Sequence, residues 1–94
     1  MTKEYILEFL RDNKKLLKEN YNVTKIGLFG SYSRDEAGEN SDIDLLVEMP
    51  SSFDTYYDFK EFLEAKFNKK IDLGYEKTLR PFIKKSIIED IIYV

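Results

Sequence analysis

Two hydrophobic periods alternate along the chain. From Lys3 to Asn20, Ile6, Phe9, Leu10, Leu16 and Leu17 fall on one stripe among charged residues, which predicts an amphipathic helix with Thr2 as N-cap and Asn20 and Asn22 as its stop. Val23–Phe29 is short, β-rich and ends at Gly30, the pattern of a strand. Gly30-Ser31-Tyr32-Ser33-Arg34 reads as a strand-to-helix turn with a brief helix after it, and Gly38–Ser41 as a polar turn. Ser41-Asp42 leads into a second strand, Ile43–Glu48. Pro50-Ser51-Ser52 breaks that strand and offers the cap of a helix from about Phe53 to Phe67, with Tyr56, Phe59, Leu63 and Phe67 three or four apart. Lys70–Tyr75 predicts a third strand. Arg80-Pro81 opens a last helix, since Pro suits the first helical position; Ile83, Ile87 and Ile91 are its apolar stripe, and Ile91–Val94 forms a short terminal strand.

This order of elements is that of a small α/β domain, one domain over residues 1–94, with helices packed on a three- or four-stranded sheet. The core is thin. Seven Tyr and seven Phe exceed what so few elements bury, so aromatic side chains are expected at the surface, where they suit a protein interface.

Composition removes several chemistries. Without Cys there is no thiol nucleophile or thiolate metal site, and without His no imidazole base or histidine-ligated metal. Acid–base or metal chemistry must therefore run on carboxylates, hydroxyls, Lys and Arg. A net charge of −3 argues against nucleic acid as a direct partner but allows a nucleotide whose charge metal ions carry. No apolar run approaches the roughly 20 residues of a membrane span, and the N-terminus lacks a long apolar signal core. With no Cys either, a cytoplasmic location is expected.

Three aspartates stand in apolar strand sequence, where Asp is disfavoured: Asp42, Asp44 and Asp72. Asp42 and Asp44 are two apart, so on an extended chain they share a face while Ile43, Leu45 and Val47 take the other. Such like charges raise at least one pKa unless a counter-charge is supplied. A pair of Mg²⁺ ions is the natural remedy, because hard cations prefer carboxylate oxygen and water. Asp72, between Ile71 and Leu73, is placed to complete the cluster from a neighbouring strand. Alone, Asp42 reads as a solvated strand-end residue. Gly30-Ser31 lies upstream: a glycine allows close backbone approach, and a helix starting at Ser31 would aim free N–H groups at phosphate. By itself it is an ordinary turn glycine with a Ser cap. Arg34 either contacts phosphate or pairs with Asp35, Glu36 or a site carboxylate. Lys69, Lys70, Arg80, Lys84 and Lys85 read mostly as a solvated basic face.

Gly30-Ser31-x-x-Arg34, Ser41-Asp42-Ile43-Asp44-Leu45-Leu46-Val47 and Ile71-Asp72-Leu73 together resemble the DNA polymerase β-like nucleotidyltransferase superfamily, and the short length, the leading helix and the ending resemble its minimal nucleotidyltransferase (MNT) branch, a resemblance over nearly the whole chain. The resemblance implies a small mixed sheet with helices, and two Mg²⁺ ions held by Asp42 and Asp44. It further implies that Asp72 ligates the catalytic ion and helps deprotonate the attacking hydroxyl, and that Gly30 and Ser31 bind ATP. Arg34 matches a frequent family Arg of less fixed role. Where the family often carries a further Arg-Gly pair, this chain has Asp35-Glu36 and then Ala37-Gly38, which adds acid beside the site. MNT proteins resemble antitoxins that pair with a HEPN-domain ribonuclease toxin, so the expected reaction is transfer of AMP from ATP to a toxin tyrosine. The alternatives are an RNA end or a small-molecule hydroxyl as acceptor, or a module that neutralises its partner by binding alone.

Overall fold

The computed structural model describes residues 1–94. Strands β1 (Lys25–Phe29), β2 (Ile43–Glu48), β3 (Ile71–Tyr75) and β4 (Ile92–Tyr93) form one mixed sheet in the order β3-β2-β1-β4. β1 runs antiparallel to β2 and β4, and β2 runs parallel to β3. The parallel pair needs a long crossover, which helix α3 (Phe53–Phe67) supplies. Ser52 caps α3 by accepting from the Thr55 N–H, and Asn68 ends it in the left-handed conformation.

Strand alternation sorts the sheet into two faces. Ile26, Leu28, Ile43, Leu45, Val47, Ile71 and Leu73 form the main core with Phe59, Leu63 and Phe67 of α3. The N-terminal helices complete that layer. The sequence predicts a single helix over Lys3–Asn20, whereas the chain forms α1 (Lys3–Asp12) and α2 (Lys14–Tyr21). Asn13 causes the break: both its backbone N–H and its side-chain Nδ2 donate to the Phe9 carbonyl, and its backbone leaves the helical region at φ −104, ψ 11. The stripe is split accordingly, with Ile6, Leu10 and Leu17 buried and Leu16 at the surface. Thr2 caps α1 and Asn22 terminates α2, as expected.

The opposite face carries three rows across β1, β2 and β3. One row holds Phe29, Asp44 and Asp72; the next holds Gly27, Leu46 and Gly74; Lys25 and Glu48 pair at the far end. Leu46 is buried here although it lies outside the main core, and a Cβ on Gly27 would come within 2.8 Å of the Ile91 side chain and 2.9 Å of the Tyr93 ring. The C-terminal segment therefore crosses this face, and glycine at 27 is what admits it.

That segment departs from its expected role. Helix α4 (Pro81–Ile88) starts at proline as predicted, after a 3₁₀ turn at Glu76–Thr78 that periodicity does not reveal. Its stripe does not enter a core: no residue of α4 is buried, and Ile83 and Ile88 are exposed.

The free edge of β3 is blunted by side chains. Glu64 accepts the Ile71 N–H at 3.1 Å, the Tyr56 hydroxyl donates to the Leu73 carbonyl at 2.5 Å, and Thr78 donates to the Tyr75 carbonyl at 3.2 Å. An edge so occupied is a poor template for a foreign strand.

Candidate active site

Asp44 and Asp72 are partners in register on adjacent parallel strands. Both point to the face opposite the main core, because their neighbours Ile43, Leu45, Ile71 and Leu73 are buried in it. Neighbouring strands lie about 4.8 Å apart, so the two carboxylates are forced together by the ladder rather than by side-chain choice. Asp44 is half-buried and Asp72 exposed at the sheet edge. Burial pushes the Asp44 carboxyl up from the ordinary 3.8 to about 6, assisted by the charge of Asp72, a hydrogen bond shared with it, and the charge of Asp42; Arg34 opposes the rise. Asp42 stands exposed just before β2.

The three carboxylates do not close into a ready cage: Asp72 and Asp42 both bear on Asp44, but no group of three acidic side chains is placed to hold a metal ion at once. Asp44 and Asp72 nonetheless fit a hard divalent cation. They are paired oxygen donors with uncompensated negative charge, and such a cation uses one or two carboxylates and fills its remaining positions with water and phosphate.

Gly30 closes the site from the other side. It sits at φ +76, open to glycine without strain, and a Cβ there would collide with the Asp44 carboxylate. The brief helix expected after it is absent. Residues 31–35 form a run of turns in which the Ser33 and Arg34 N–H groups return to the Gly30 carbonyl, and the run ends where Asp35 turns left-handed at φ 58. The phosphate cradle expected at Ser31 therefore cannot be built on a helix terminus. The amides of Gly30, Ser31 and Tyr32 make no hydrogen bond within the chain, which leaves three consecutive donors beside Asp44. Successive free N–H groups in a turn form an anion-binding concavity. The Ser31 hydroxyl likewise bonds to nothing in the chain, whereas Ser33, buried, fastens the turn by donating to the Gly30 carbonyl at 2.9 Å.

Tethers from distant segments hold this loop. Lys3 pairs with Asp35 at 2.9 Å, and Lys69 donates to the Glu39 carbonyl at 2.6 Å. Arg34 pairs with Glu36 at 3.2 Å, one of the partners open to it in the sequence, and with Asp90 at 3.0 Å. Asp90 carries no signal for this pairing in the sequence, since it lies 56 residues from Arg34 among the isoleucines and basic residues of the last segment.

Residues 8–94 match the nucleotidyltransferase domain family. A protein of Methanocaldococcus jannaschii, provisionally named a protein adenylyltransferase, is 48% identical over 94 residues, covering 95% of this chain and 94% of its own. Protein adenylyltransferase MntA of Thermococcus cleftensis is 39% identical over 97 residues, covering 100% and 97%. Among solved structures, one provisionally assigned as a minimal nucleotidyltransferase superposes with a TM-score of 0.81 at 26% identity, covering 98% of this chain and 95% of that one. The fold is also that of an MNT antitoxin solved in complex with a tri-AMPylated HEPN toxin of Shewanella oneidensis, with TM-score 0.59, 20% identity, and coverage of 97% and 66%. With the paired strand aspartates, the glycine turn against them and these relatives spanning its length, the chain belongs to the nucleotidyltransferase domain family, among its minimal enzymes akin to the protein adenylyltransferases.

Proposed function

We propose that residues 1–94 work as one nucleotidyltransferase domain that transfers AMP from ATP to a tyrosine hydroxyl of a HEPN-domain toxin, in a Mg²⁺-dependent reaction in the cytoplasm, and so acts as its antitoxin. The observation that carries this reading is the Asp44–Asp72 pair set beside the three free amides of Gly30, Ser31 and Tyr32. Carboxylates for cations next to donors for phosphate are what a metal–triphosphate complex requires. The adenylyltransferase names of the relatives and the AMPylated toxin in the complex support the nucleotide and the acceptor.

Asp42, Asp44 and Asp72 are the residues that would hold Mg²⁺. Bound there, the ions would lower the pKa of the attacking hydroxyl and neutralise charge on the phosphates. Gly30 and Ser31 take the β and γ phosphates through backbone N–H and the Ser31 hydroxyl, and Arg34 stands at the same mouth. Asp72, exposed at the edge, meets the incoming hydroxyl and accepts its proton. The hydroxyl oxygen bonds to the α-phosphorus as the bond to the bridging oxygen breaks, and pyrophosphate leaves.

Incubation of the chain with a HEPN-domain protein of the same genome, ATP and Mg²⁺ should add whole AMP increments to that protein by intact-mass spectrometry, with none in Asp44→Asn. A partner that is neutralised yet unmodified would replace this reading with binding alone.

A further inference from the structure

We propose that the outer face of α4 is the docking surface for the acceptor protein, and that the acceptor meets it with an apolar patch rimmed by acidic side chains. This rests on the transfer reading above. Helix α4 buries none of its residues, and only Ile87 among them is half-buried. Eight residues are too few for a helix to stand in water on propensity alone, so packing from outside is needed to fix it. Its apolar residues are large and outward: Phe82 is 69% exposed and Ile88 63%.

Charge indicates the occupant. Residues 77–89 contain Lys77, Arg80, Lys84 and Lys85 against one acid, Glu89, a charge of +3, and the acids that border them are taken up within the chain, Glu76 by Lys25 and Asp90 by Arg34. The whole chain carries −3, so the remainder carries −6. A second copy meeting this one two-fold through α4 would set +3 against +3, which disfavours self-association there. A different protein with an acidic rim gains both from the apolar contact and from steering.

Position links the surface to the chemistry. The C-terminal segment crosses the sheet face that bears Asp44 and Asp72, with Ile91 and Tyr93 over Gly27. Just past α4, Asp90 pairs with Arg34 of the phosphate turn at 3.0 Å. A protein seated on α4 is thus held beside the carboxylates, where its hydroxyl can reach Asp72.

The test compares Phe82→Ser/Ile88→Ser and Lys84→Glu/Lys85→Glu with the wild-type chain, using a HEPN-domain protein of the same genome as probe. Both variants change exposed side chains, and their melting shift with Mg-ATP reports an intact nucleotide site. Affinity for the HEPN protein should fall at least tenfold, with AMP transfer lost at low acceptor concentration and restored at high, so that KM for the acceptor rises while kcat holds. Unchanged affinity in both variants overturns the docking surface while leaving the transfer reading intact. Binding through α4 without AMP transfer by the wild-type chain overturns the transfer reading and keeps the surface. A wild-type chain that does not bind the HEPN protein overturns both. A dimer in sedimentation that Phe82→Ser/Ile88→Ser dissolves, or capture of single-stranded RNA that Lys84→Glu/Lys85→Glu abolishes, assigns α4 to another occupant and also overturns the proposal.

Discussion

Gly30 and Asp44 are fitted to each other: the carboxylate occupies the space where any other residue at position 30 would place its Cβ. Gly30→Ala therefore carries two penalties. The left-handed φ of +76 costs a residue with a Cβ about 1–2 kcal/mol, and the collision displaces the carboxylate as well. Gly38→Ala is the control, because its Cβ would meet nothing within 4 Å. Urea midpoints should fall clearly for Gly30→Ala and move little for Gly38→Ala, and only the former should lose Mg-ATP stabilisation. A Gly30→Ala variant as stable and as responsive as wild type would contradict the fit.

Legibility followed the range of the interaction. Asp42, Asp44 and Asp72 stood out because a charge amid Ile, Leu and Val is anomalous in a single segment, and α3 was readable residue by residue from its cap and period. Whether Asp72 faces Asp44 depends on β3 lying parallel beside β2, a relation between segments that neither states. The Asn13 break escaped notice because Ile6, Leu10 and Leu17 fit one helical stripe well enough to hide it. The helix after Gly30 failed through turn chemistry, with Asp35 turning left-handed after a single turn. The isoleucines of the C-terminal segment have helical period but reach only the thin second face of the sheet, where Ile87 and Ile91 are half-buried and Ile83 and Ile88 exposed, and periodicity cannot distinguish a closed core face from a half-open one.

Asp44 makes stability depend on pH in a defined direction. Its folded pKa of about 6 lies above the ordinary 3.8, so between those values the folded chain holds a proton that the unfolded chain releases. Without metal, stability is greatest below about pH 4 as far as this group is concerned, falls as pH rises through the window and levels off above 6. Because Asp44 is half-exposed, solvent screening reduces the effect to roughly 1 kcal/mol. Denaturation in EDTA from pH 4 to 7.5 should show the decline, and Asp44→Asn should flatten this contribution. A wild-type profile indistinguishable from the variant would argue that the carboxyl is unperturbed.

Mg-ATP should stabilise the chain, since a ligand at 100 times its Kd adds about 2.7 kcal/mol and each kcal/mol moves the melting midpoint of so small a domain by about 4–8 °C. The shift should be larger at pH 7.5 than at pH 5, because cation and proton compete for Asp44. It should nearly vanish in Asp42→Asn and Asp44→Asn and shrink less in Ser31→Ala, where the backbone donors persist. Differential scanning fluorimetry measures all four; equal shifts throughout would remove these residues from the nucleotide site.

Asp72→Asn should separate stability from activity. In the absence of metal, Asp72 is the charge that most raises the Asp44 pKa, and its shared hydrogen bond also favours the protonated form of its neighbour. Asparagine keeps the shape, removes the charge and can donate an N–H to the Asp44 carboxylate. The Asp44 pKa should then drop part of the way, burial still holding it above its ordinary value, and the metal-free domain should gain about 0.5 kcal/mol near pH 7.5, the discount again reflecting half-exposure. In melting temperature that is a rise of about 2–4 °C. AMP transfer should be lost in the same variant, because asparagine cannot take the proton of the attacking hydroxyl. The main core is untouched, since Ile71 and Leu73 keep their places on the other face. A natural sequence that retains both carboxylates is thus accepting instability at this position in exchange for the reaction, as sites built from like charges do. The two readings are independent: melting in EDTA reports the repulsion, and intact mass of the partner reports the transfer. A variant that melts lower than wild type without metal would show that Asp72 holds the fold together, and one that still transfers AMP at the wild-type rate would remove it from the reaction.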